Sequence, residues 1–109
     1  MSIVTSNITT VGNTVYTSTG NTAITWLSVT NYGNATVYAN IWVVPNGQTF
    51  GNNNLIISNI AIVSAANTTG GDTYQLYVGG EKLLLGNGDS VRATASANTL
   101  NAVTSYTSI

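Results

Sequence analysis

Apolar and polar residues alternate with a period of two over most of the chain, and β-branched residues fill many of the apolar positions. In an extended backbone that period sends alternate side chains to opposite faces, so the pattern predicts strands. Ala23, Thr25, Leu27 and Val29 fall on one face of such a strand, with Ile24, Trp26 and Ser28 on the other. Val37, Ala39, Ile41 and Val43 form a second alternating set, opposed by Tyr38, Asn40 and Trp42. Large side chains on both faces predict a strand with neighbours on each side. Further strands are expected at about residues 2–11, 14–18, 54–65, 73–78, 81–85, 90–97 and 100–108. No stretch shows a sustained helical period flanked by caps.

The segments between these runs carry turn chemistry. Pro45-Asn46-Gly47 follows a strong strand, where proline presets φ and glycine tolerates a positive one. Gly86-Asn87-Gly88-Asp89 reads as a hairpin loop between Leu85 and Val91, and Gly79-Gly80 as another tight reversal. Gly51-Asn52-Asn53-Asn54 and Asn67-Thr68-Thr69-Gly70-Gly71 read as polar loops. About eight or nine short strands with this punctuation predict a single antiparallel β-sandwich, jelly-roll or immunoglobulin-like. There is no internal repeat and no dividing linker, so residues 1–109 form one expected domain. Ile3, Val4 and Ile8 make the first ten residues β-prone. Two readings stand side by side: an edge strand of the domain's own sheet, or an arm exchanged onto a neighbouring copy. Deleting residues 1–10 is expected to separate them, since an arm can be lost without loss of folding.

Charge changes the picture. Only 5% of the residues are charged, against about 25% in soluble domains, and Ser, Thr, Asn and Gly take their place. With a net charge of −1, little long-range repulsion keeps copies apart, which favours association and homo-oligomers. Two basic residues cannot track a phosphate backbone, so nucleic acid is not an expected partner. Apolar runs such as Ile41-Trp42-Val43-Val44 are too short to span a bilayer, and no membrane partner is expected. The opening residues lack the basic and apolar regions of a signal peptide.

Candidate chemistry is sparse. The chain has no Cys and no His, which removes disulfides, thiol chemistry, the usual general base and the commonest metal ligand. The five charges are Asp72, Glu81, Lys82, Asp89 and Arg92, so any active site belongs there. Asp72 and Asp89 each follow a glycine, where an aspartate commonly bonds its own turn. Neighbouring Glu81 and Lys82 are expected to point to opposite strand faces. Neither a paired-carboxylate site nor a Ser–Lys dyad emerges, and no Asp-x-Asp-x-Asp calcium spacing exists. The chain is expected to be no enzyme and to carry no metal or cofactor. Trp26, Trp42, Tyr16, Tyr32, Tyr38, Tyr74, Tyr77 and Tyr106 are expected to fill core or interface, with sugar stacking as the alternative. The candidate assembly interface comprises Ile3, Val4, Ile8, Trp26, Tyr38 and Trp42.

Several stretches resemble small virion proteins of tailed bacteriophages, including those of cyanobacteria and other marine hosts. They are Val15-Tyr16-Thr17-Ser18, Val29-Thr30-Asn31, the run from Val37 to Gly47, the run from Glu81 to Ser96, and Val103 to Ile109. The resemblance implies a β-sandwich that decorates or joins parts of a virion, with no catalytic residues to carry over. Its expected role is a capsid decoration or cement protein contacting the major capsid protein. A tail, baseplate or fibre-attachment component and a carbohydrate-binding module are the alternatives.

Overall fold

A computed structural model of the chain describes residues 2–63, 73–76 and 82–109. The described strands are β1 (Ser2–Ile8), β2 (Asn13–Thr17), β3 (Thr22–Asn31), β4 (Val37–Val44), β5 (Leu55–Ile62), β6 (Thr73–Leu76), β7 (Leu83–Leu85), β8 (Ser90–Ala95) and β9 (Leu100–Ser108). All pairings are antiparallel and nested: β1 with β9, β2 with β8, β3 with β6 and β7, and β4 with β5. Two more ladders, β3–β9 and β4–β8, join these pairs into sheets. The first sheet runs β1-β9-β3-β6, with β7 also on β3, and the second runs β2-β8-β4-β5. A ribbon whose first strand pairs with its last, rolled so that successive pairs alternate between two sheets, is a jelly roll. That is the form the expected sandwich takes.

The sheets close on an aliphatic core. Ile8, Ile24, Leu27, Val29, Ile41, Val91 and Leu100 are almost fully buried, each such side chain stabilising the fold by roughly 1.5–3 kcal/mol. Ala39, Ala93, Ala95 and Ala102 face the same space and let the sheets approach. Tyr16 and Tyr106 come from opposite sheets, pack against this cluster and stack with ring centroids 4.4 Å apart. Tyr74 also packs against the cluster, whereas three other aromatics stay out of the core. Trp26, Tyr32 and Tyr38 are 38%, 59% and 47% exposed, so core filling does not account for them.

Bulges explain where strict alternation fails. In β3 the register against β9 shifts between Ile24 and Trp26. Thr25 is the extra residue, and its Oγ1 donates to the Ser105 carbonyl. Ile24, Leu27 and Val29 therefore all reach the core, and the two faces expected from unbroken alternation change places at Thr25. In β5, Asn59 adopts φ 55° and its N–H donates to Asn40 Oδ1 at 2.8 Å.

Loops gather at the two ends of the sandwich. At one end Ser18 and the 86–89 turn exchange backbone bonds, Ser18 N–H to the Asp89 carbonyl and Gly88 N–H to the Ser18 carbonyl. Asp89 closes its own turn, Oδ2 accepting from Gly86 N–H, while Oδ1 accepts from Asn46 N–H of the Pro45 turn, both at 2.8 Å. Gly88 is required there. Its φ is +84°, and a Cβ would lie 2.5 Å from the Asn46 side chain. At the other end the fully buried Asn31 ties β3 to the 32–36 loop, to Ile62 and to Thr99.

Candidate functional site

Cross-strand partners share a face, so the registers place side chains on the outside of the first sheet. Ile3, Ser105 and Trp26 form one row across β1, β9 and β3. Thr5, Val103 and Ser28 form the next, and Asn7, Asn101 and Thr30 a third. Leu84 of β7 lies opposite Ala23. Ile3 is 70% exposed and Leu84 66%. Ile3 and Trp26 stand about 10 Å apart, two strand spacings, with only a serine between them. No charged residue occupies these rows.

This face ends at the edge strand β1. Its ladder to β9 runs unbroken from Ser2 to Ile8, and its sequence holds neither charge nor proline. Edges of soluble sheets are commonly blunted by Lys, Pro, a bulge or shortness. Other described edges are so marked: β2 is bulged near Val15, β5 at Asn59, and β7 is short. β1 carries none of these devices.

The six candidate interface residues do not form one surface. Ile3 and Trp26 share the outside of the first sheet, whereas Tyr38 and Trp42 lie on the outside of the second. Ile8 is a correction: it is 0% exposed in the core and cannot meet a partner while β1 is docked. Trp42 is another, at 9% exposed, because the 45–54 loop folds back and sets Phe50 against it, centroids 4.9 Å apart. Val4 pairs opposite the buried Thr104 and is half-buried.

The second sheet carries a pocket of about 280 Å³ beside Phe50. Thr14 of β2, Ser90 and Arg92 of β8, Val44 of β4, and Gln48, Thr49 and Phe50 of the loop line it. The Arg92 guanidinium carbon lies 4.5 Å from the Phe50 ring centroid. Its Nη1 reaches Thr14 Oγ1 only at 3.5 Å, and its buried Nε finds no acceptor. The loop is held in shape by Asn54, whose Oδ1 accepts from Gly51 N–H and whose Nδ2 donates to the Thr49 carbonyl. Sequence reasoning passed over Phe50. Its signal was a lone aromatic inside the polar run Gln48-Thr49-Phe50-Gly51.

The remaining candidate chemistry does not converge. Asp72, Glu81, Tyr77, the 67–71 loop and the Gly79-Gly80 reversal lie outside the described residues. Asp89 is engaged in turn closure, and Lys82 is exposed. Among the described residues no group of three or more acidic, Cys or His side chains gathers, and no helix is long and apolar enough to cross a membrane. Comparison with protein-family models, curated proteins and solved structures finds no match to the chain.

Proposed function

We propose that the chain is a structural protein of a bacteriophage virion, a decoration or cement protein that stabilises the head through contacts with the major capsid protein. The observation that carries this reading is the uncharged outer rows across β1, β9 and β3 of the first sheet, with Ile3 and Trp26 exposed beside the unblunted β1 edge. Such a face has a use when a partner covers it, because an open regular edge otherwise invites non-specific pairing. On a symmetric shell many individually weak contacts combine, so a domain burying a small patch per copy still holds. The resemblance of the quoted stretches to small virion proteins points the same way, and jelly rolls are common in viral shells.

The test uses particles lacking the chain. Added wild-type protein binds them and raises the temperature at which heads rupture. Ile3→Lys sits on an exposed position, keeps its fold, and binds at least about tenfold more weakly because it buries an unpaired charge. Absence of wild-type binding contradicts the reading, and so does undiminished binding by Ile3→Lys.

A further inference from the structure

The pocket on the second sheet is independent of the assembly face and has a chemistry of its own. Arg92 is its only cation, standing on a central strand with no carboxylate among the described residues paired to it. A guanidinium has five donors, and here the described residues supply one long hydrogen-bond contact, to Thr14. Around it are the hydroxyls of Thr14, Thr49 and Ser90 and the amide of Gln48, drawn from two strands and a loop. Val44 and the 41%-exposed Phe50 add an apolar wall. The loop side of the site is preorganised, since Asn54 fixes its turn and Asp89 anchors its start at Asn46.

From this we infer that the pocket binds a single sugar ring bearing one carboxylate, a uronic or sialic acid residue. Each part of that ligand answers a part of the site. One guanidinium matches one monoanion through charge-assisted bonds. The hydroxyl and amide rim matches ring hydroxyls, and Val44 with Phe50 matches the apolar C–H surface of the ring. A volume near 280 Å³ suits one ring and is small for a longer ligand. The alternatives fit less of the site. A phosphate dianion calls for more positive charge than one arginine. A neutral sugar leaves Arg92 unanswered, and an acidic peptide side chain leaves the hydroxyl rim unused.

The experiment is a titration of the full ¹⁵N-labelled chain with methyl glucuronide and methyl N-acetylneuraminate. Methyl glucoside, inorganic phosphate and a short glutamate-containing peptide are run in parallel. At least one acidic glycoside is expected to shift the amides of residues 48–50, 90 and 92, with affinity at least about tenfold above methyl glucoside. Arg92→Gln is expected to abolish that preference and Arg92→Lys to restore part of it. Should Arg92→Gln not fold, Gln48→Ala and Thr49→Val on the loop carry the test, each expected to weaken binding by about fivefold. Equal response to the neutral glycoside overturns the inference. So does a stronger response to phosphate or to the peptide, no response to either acidic glycoside, or acidic-glycoside binding unchanged in these variants.

Discussion

Asn31 shows how a polar residue becomes structural in this chain. Fully buried at the end of β3, its Nδ2 donates to the Ala35 and Ile62 carbonyls, and its Oδ1 accepts from Gly33 N–H and Thr99 Oγ1. Replacing it by alanine leaves the buried Ile62 carbonyl without this partner, and Asn31→Ala is expected to destabilise the fold by about 2–3 kcal/mol, read as a lower urea midpoint at unchanged slope. Nothing in the sequence marked this residue. When Ser, Thr, Asn and Gly fill most polar positions, a buried asparagine looks like its exposed neighbours, and only the three-dimensional path of β5 and the 96–99 loop tells them apart. Asp89 was easier, because an aspartate beside Gly88 in a hairpin loop has a local bond to make, and it makes one to Gly86. Its second bond, to Asn46, joins turns far apart in sequence and was not legible.

At the scale of elements, the strands were legible and their irregularities were not. β3, β4, β8 and β9 lie close to where alternation places them, while β1 stops at Ile8 and β5 at Ile62, short of the expected runs. The bulge at Thr25 reverses the faces of the first half of β3 relative to the second, a shift that depends on β9 and is therefore invisible to local period. β1 is paired along its whole length with the chain's own β9, and Ile8 lies in the core. Deletion of residues 1–10 is therefore expected to unfold the domain, with loss of the cooperative thermal transition by circular dichroism. It does not test an assembly role for the strand, which an exposed substitution such as Ile3→Lys does. A deletion variant with wild-type melting would show that β1 is dispensable to the core.

For the molecule as a whole, the nesting of first strand with last is the feature that period and turn signals could not supply. Pairings such as β1 with β9 bring together residues about a hundred positions apart, and local pattern carries no information about them. Two sheets and an aliphatic core did follow from many short alternating strands. The absence of charge before Asp72 also has a whole-molecule meaning once the fold is known. The outer rows of the first sheet draw on β1, β3 and β9, which contain no charged residue, so the face is neutral across these three strands. On the second sheet Arg92 is the exception and stands in the pocket. The described strands thus present two different outer faces, one neutral and partly apolar across β1, β9 and β3 beside an open edge, the other carrying a pocket with a cation. We propose that the first of these faces holds the chain in a virion. Electron cryomicroscopy of gradient-purified bacteriophage particles assembled in cells that express the chain is the decisive measurement. The expected image has many symmetry-related copies of the jelly roll on the head, each with β1 and the Ile3–Trp26 row turned towards capsid protein. Particles without the chain, or copies held by the second sheet with the first facing solvent, would contradict it.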